Sequence, residues 1–305
     1  MNLGQKNYKL GMTAALLCSS LWGILPIYWH ALIPISSSVI IFYRIFTVGI
    51  VCFLVALKLY GMERIKAPLR KKGAKLKFFL AGIIITLNWS IYIWAVNAGF
   101  VIQTSIGYYM EPLMVCVFGI VLFKEKMTRY RGFAFSCACL GVVVLLVYFK
   151  QIPAIALSLA VSFAVYAALK KSFKIESILS LLYETMFLVP FALVVIIYLE
   201  VTNQGAIGVG EPYQYGLLLC SGVMTAIPLG LFAVAANNLP LITLGITEYI
   251  SPSLNLIIGI YLFNEPFDKI QLIAFAIIWV GLIVFTYGEA KLQKSTMNRG
   301  DIIER

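Results

Sequence analysis

Four ionisable residues stand inside stretches that are otherwise apolar: Arg44, Glu111, Glu184 and Glu248. In hydrocarbon such groups face a cavity or a partner, because an unpaired charge there is costly. A fixed guanidinium can fork onto a carboxylate or a phosphate, and a buried carboxylate can exchange a proton. Glu111 precedes Pro112, and Glu248 lies four residues before Pro252. Each proline removes a backbone donor and weakens its helix, which makes it a hinge candidate or else a static kink. Arg44 and Glu111 lie toward the same half of the membrane and can pair directly, which leaves Arg44 either substrate-binding or part of a structural ion pair. Glu184 is either cavity-facing or a packing residue. Around these charges stand polar aromatics: Asn88, Trp89, Tyr92 and Trp94 in one segment, Tyr108 and Tyr109 one turn before Glu111, and Trp22 near the N-terminus. Aromatic faces suit flat or cationic organic molecules, although Trp94 also fits an interfacial belt. The candidate binding set is Trp22, Arg44, Asn88, Trp89, Trp94, Tyr108, Glu111, Glu184 and Glu248, with Pro112 and Pro252 as hinges.

The elements that must carry these residues are membrane spans. Hydrophobic residues make up 61% of the 305 and charged residues 12%, and the mean hydropathy is +0.93. A soluble domain of that composition would expose far too much apolar surface, so the sequence predicts an all-α integral membrane protein. Ten apolar segments are legible, at 11–30, 37–57, 78–97, 102–123, 130–148, 152–169, 177–199, 213–236, 243–263 and 270–288. The first runs on through Trp22, Tyr28 and Trp29 without a small-residue cleavage pattern, so it reads as a retained helix and not a signal peptide. Of the 24 basic residues, 21 fall in the terminal segments and the loops on their side, Lys150 and Lys269 fall in the others, and Arg44 is within a span. That bias places both termini in the cytoplasm. The net charge of +11 is therefore a topology signal and does not imply nucleic-acid binding.

The stretch TSIGYYMEPLMVCVFGIVLFKE, from Thr104 to Glu125, returns 140 residues later as TLGITEYISPSLNLIIGIYLFNE, from Thr243 to Glu265. Pro112 falls on Pro252, Gly119 on Gly259, Glu125 on Glu265, Ala134 on Ala274 and Gly141 on Gly281; Arg44 and Glu184 also share this offset. Five spans per half is an odd number, so the second half must enter the membrane inverted. The loops agree: KEKMTRYR after span four is basic, whereas NEPFDKIQ after span nine has lost nearly all its positive charge. The expected organisation is a cytoplasmic segment 1–10, a first repeat 11–148, an inverted second repeat 152–288 and a cytoplasmic tail 289–305, with a binding site near the midplane. Ala156, Ala160, Ala164 and Ala168 recur every four residues in span six, a spacing that lets helices approach closely.

Other chemistries are poorly served. Six cysteines lie in apolar segments without a CxxC pair, and His30 is the single histidine. No Walker lysine motif, HExxH or GxSxG is present, so no cofactor or metal is expected and neither is an enzyme. The function that remains is movement of a small solute across the bilayer, by a carrier or, alternatively, by a passive channel or facilitator. Oligomeric state is open.

The chain resembles the EamA-type transporters of the drug/metabolite transporter superfamily, and within them the RarD subfamily. The resemblance runs from about Gly11 to Gly288. It is carried by LWGILPIYW (21–29), NWSIYIWAVNAG (88–99), SIGYYMEPL (105–113), ETMFLVP (184–190), TAIPLGLFAVAANNLPL (225–241), TLGITEYISPSL (243–254) and AFAIIWVGL (274–282). It implies ten helices in two inverted halves, a central cavity, and transport, including efflux, across the bacterial inner membrane. The family pattern has His where this chain has Tyr43, Asn where it has Glu111 and Gln where it has Glu248. Two carboxylates in place of amides imply a changed charge preference or proton coupling.

Overall fold

The computed structural model describes residues 3–70, 73–98, 100–150, 154–173, 175–264 and 268–303. Lys71, Lys72, Gly99, Lys174, Glu265 and Arg305, which entered the charge and repeat patterns, lie outside the described residues. The described chain is helical throughout: α1 (Leu3–His30), α2 (Ser37–Lys66), α3 (Ala74–Asn97), α4 (Val101–Phe123), α5 (Arg129–Phe149), α6 (Ala154–Ser172), α7 (Ser177–Thr185), α8 (Val189–Val201), α9 (Pro212–Asn238), α10 (Leu241–Glu248), α11 (Ile250–Tyr261) and α12 (Lys269–Ile303). Among the described residues nine helical stretches are long and apolar enough to span a bilayer. The tenth span is bent by 53° between α7 and α8. Its break is set by Thr185–Leu188, where Pro190 begins the second helix and cannot return a hydrogen bond to Met186. The chain is an all-α, multi-pass membrane protein, with every predicted span present.

The two prolines of the duplicated spans behave differently. Span four is continuous α-helix through Pro112, while span nine divides at Tyr249 into α10 and α11. Pro252 has no N–H to return to the carbonyl of Glu248, and the helix is interrupted at that point.

Packing relies on small residues, as expected where lipid removes the hydrophobic drive between helices. An added Cβ at Gly82 would come 2.2 Å from the carbonyl oxygen of Glu184, and one at Gly222 would come 2.5 Å from the backbone of Thr47. These glycines, 140 residues apart, seat α3 on α7 and α9 on α2. In α5 and α12 the contacts are reciprocal: Gly141 lies against the carbonyl of Ala274, and Gly281 against that of Ala134. The lower number of one helix meets the higher of the other, so the two helices are antiparallel. The α4–α10 contact is antiparallel as well, because Gly245 meets Pro112 and Cys116 while Gly119 meets Leu241 and Ile242. The buried faces of Ala156, Ala160, Ala164 and Ala168 belong to α6, which packs on α3 and α4.

Glycine at these crossings cannot be enlarged without separating backbones. Gly222→Val is expected to lower stability by about 1–3 kcal/mol or more. Gly216→Ala, where no atom lies within 4 Å, leaves it unchanged; thermal melts in detergent distinguish the two.

Candidate functional site

A cavity of about 670 Å³ lies between α1, α2, α3, α4, α6, α9, α10 and α11. Helical spacing assembles it. α1 supplies Trp22, Pro26 and Trp29, α2 supplies Ser37, Ile41 and Arg44, and α3 supplies Asn88, Trp89 and Tyr92. α4 supplies Tyr108, Glu111 and Pro112, and span nine supplies Glu248, Ser251, Pro252 and Asn255; within each helix the lining recurs every three or four residues, in places as an adjacent pair. His30, Ile33 and Ser37 at the rim are exposed. They join α1 to α2, so the cavity opens at the end of the bundle away from the termini.

The deep end is shut by packing. Trp22 sits edge-on to Phe163 with centroids 5.9 Å apart and lies 5.5 Å from Phe232, and Tyr166 stacks on Phe232 beneath them. Below this aromatic layer, charged groups tie the terminal ends of the helices together. Glu125 accepts from the backbone N–H groups of Leu241 (2.8 Å) and Ile242 (3.0 Å) at the N-terminus of α10, and pairs with Lys171 at 3.2 Å. A carboxylate there also meets the positive end of the helix dipole. Arg131 pairs with Glu289 at 2.8 Å, and Tyr8 donates to the same carboxylate.

Arg44 is the most distinctive group in the cavity. Its guanidinium lies 4.5 Å from the ring centroid of Trp29 and 4.9 Å from that of Trp89, clamped between two aromatic faces. Nε donates to Thr225 Oγ1 at 3.2 Å. Among the described residues no carboxylate comes within ion-pair distance of it. The expected Arg44–Glu111 pair is thus not formed: the tryptophans hold the guanidinium by its faces, and the two groups line the same cavity without meeting. Asn88 is fixed by donating to Leu159 O (2.9 Å) and Ser162 Oγ (3.0 Å) on α6. The rings of Tyr92 and Tyr108 lie 5.5 Å apart on the wall.

Two candidates fall outside the cavity. Trp94 is 58% exposed on the bundle exterior beside Phe100. Two residues beyond the lining position Tyr92, it points to the other side of its helix. Glu184 is 2% exposed and pairs at 2.6 Å with Lys170, itself 1% exposed; Ser180 and Tyr166 donate to the same carboxylate at 2.6 and 3.1 Å. Lys170 was counted as a loop charge in the sequence, yet it is folded inward against its partner. Lining positions outside the candidate set include Trp29, Phe163, Thr225, Ser251 and Asn255. Trp29 was legible as seven residues beyond Trp22, and Asn255 as seven beyond Glu248. Nothing in the sequence singles out Thr225.

A family model described as the EamA-like transporter family matches residues 9–147. The RarD protein of Escherichia coli is 30% identical, over 95% of this chain and 98% of its own length. This chain belongs to the EamA transporter family, among its RarD-like members. An uncharacterized transporter of Bacillus subtilis, YojE, is 36% identical over 94% of the chain and 97% of its own. The RarD protein of Streptomyces exfoliatus is 32% identical over 92% and 89%. A solved crystal structure, 15% identical, superposes with a TM-score of 0.70 over 92% of this chain and 98% of its own, and so shares the fold. The EamA chain described here is therefore a membrane transporter of the drug/metabolite type, acting on a small molecule, and not an enzyme.

The Lys170–Glu184 pair is expected to be structural. Removing one partner, as in Glu184→Ala, leaves a buried charge unpaired and costs about 3–5 kcal/mol. Lys170→Met with Glu184→Leu recovers most of that in thermal melts, and ligand affinity of the folded double variant matches the parent.

Proposed function

We propose that this EamA protein is a secondary carrier that exports a small organic solute across the bacterial inner membrane by alternating access, with Arg44 receiving an anionic group of the substrate. The observation that carries this reading is the guanidinium of Arg44, clamped by Trp29 and Trp89 in a cavity of about 670 Å³ with no carboxylate partner among the described residues. A charge held this way in low dielectric is matched by a ligand of opposite sign.

Inverted halves support the alternating-access part. Equivalent residues 140 apart meet each other: Tyr249 OH donates to the carbonyl of Tyr109 at 2.9 Å, and Gly49 lies against Val189. Such self-contacts are what a two-fold axis in the membrane plane produces. Helix neighbours also come in matched sets. Span one packs on eight as six does on three, and span four packs on six as nine does on one. With both termini cytoplasmic, as the basic loops favour, the mouth beside His30 faces outward and the shut end faces the cytoplasm. Pro112 and the break before Pro252 are the hinges in this reading, and Glu111 or Glu248 exchanges a proton during the cycle. Opening toward the cytoplasm then requires Glu125 to leave the N-terminus of α10.

Two measurements test this. In proteoliposomes, a ligand found by thermal-shift screening of metabolites and antibiotics shows counterflow; uptake without counterflow would indicate a channel. Arg44→Lys raises its apparent dissociation constant about tenfold, near 1.4 kcal/mol, with the folded yield retained, whereas equal losses of affinity and yield overturn the role of Arg44. Transport that ignores a pH gradient in the parent and in Glu111→Gln and Glu248→Gln removes the proton from the mechanism.

A further inference from the structure

Glu248 occupies a position that its surroundings inside the protein do not satisfy. It ends α10, is 5% exposed, lines the cavity, and its Oε1 has no hydrogen-bond partner among the described residues. One helical face further along span nine, Asn255 also lines the cavity, and its Oδ1 is likewise buried without a donor. A buried acceptor left unsatisfied carries a penalty that native structures seldom tolerate, and an unpaired carboxylate carries more. Other ionisable groups lining the cavity are Arg44, Glu111, His30, Tyr92 and Tyr108. Arg44 is engaged with Trp29, Trp89 and Thr225, and His30 packs at a tilt against Phe263 at the rim, 4.6 Å between centroids. The charges inside the cavity are therefore of both signs and do not neutralise each other. A metal is poorly served, since no group of three or more His, Cys, Asp or Glu side chains gathers among the described residues. The space is large enough for an organic group, and Trp22 presents an aromatic face in the same cavity.

We infer that Glu248 is the subsite for a protonated amine, so that the substrate of this EamA protein is a dipolar organic solute with an ammonium group at Glu248 and an anionic group at Arg44. The inference rests on the carrier reading for the anionic half only. Arg44 enters seven residues from the start of α2, and Glu248 lies seven residues beyond the first residue of α10 at the opposite end. Each is thus about 10 Å from its own end of a bundle about 30 Å thick, which leaves about 10 Å between the two along the membrane normal. An ammonium donates up to three hydrogen bonds, and Glu248 and Glu111 are carboxylates able to accept them. Asn255, two turns nearer the mouth, is an acceptor along the path from the rim.

Binding to purified protein in detergent tests this with three ring-matched probes in sodium-free potassium buffer: benzylammonium, benzyl alcohol and phenylacetate. Benzylammonium is expected to raise the melting temperature by about 2–4 °C at saturating concentration. Benzyl alcohol gives no comparable shift. Glu248→Gln, which removes a carboxylate that holds no internal partner, abolishes the benzylammonium shift and leaves that of phenylacetate. Arg44→Ala does the reverse. A benzylammonium shift no larger than that of benzyl alcohol overturns the inference without any variant, and so does one that survives in Glu248→Gln. Sodium producing the same Glu248-dependent shift overturns it in favour of an inorganic ion. Loss of the phenylacetate shift alone would instead remove the anion role of Arg44 and leave the amine subsite standing.

Discussion

Charge in hydrocarbon must be neutralised or given something to bind, and this constraint orders the ionisable residues described within the spans. Glu184 and Lys170 meet at 2.6 Å, with Ser180 and Tyr166 completing the carboxylate's bonds, so nothing remains for a ligand. Glu125 and Glu289 are likewise occupied, by Lys171 and the α10 N-terminus in one case and by Arg131 and Tyr8 in the other. Arg44 and Glu248 differ, as does Glu111, which lines the same cavity without an ion pair among the described residues. Arg44 and Glu248 both sit where desolvation is severe, and neither finds an opposite charge among the described residues. The protein places its satisfied charges at the shut end and its unsatisfied ones in the cavity.

This division fits the proposed carrier. The shut end is held by bonds that can be exchanged one at a time, most directly the two backbone N–H groups of α10 that Glu125 accepts. α10 ends at Glu248, a cavity residue. One short helix therefore connects the closure to the site, and span nine is interrupted immediately after it. Span four carries Pro112 inside a continuous helix, so the two proline-bearing spans differ locally.

Much of the architecture was legible from residue types. Length and hydropathy set ten spans, since a bilayer admits only helices with every backbone bond internal and roughly 20 residues long. Nine appear among the described residues, and the bent pair α7–α8 makes a tenth when counted as one span. The 140-residue offset aligned Gly141 with Gly281 and Ala134 with Ala274 as small residues, and these four positions meet in the α5–α12 crossing, Gly141 against Ala274 and Gly281 against Ala134. Seven of the nine candidate binding residues line the cavity. Helical spacing from Trp22 and Glu248 would have added Trp29 and Asn255.

By itself, then, the sequence determined the solvent the protein lives in, the number of its spans and the residues too polar to face lipid. Which polar residues neutralise one another was decided by tertiary structure alone. Lys170 could be counted as a loop charge until α6 and α7 packed and brought it onto Glu184. Arg44 and Glu111 could be paired on paper until Trp29 and Trp89, 60 residues apart, both came within 5 Å of the guanidinium. Trp94 differed from Trp89 only in the direction its helix gave it. Hydropathy reports the cost of burying each residue separately, whereas pairing depends on distances of a few ångströms between helices far apart in the chain, which no local pattern encodes.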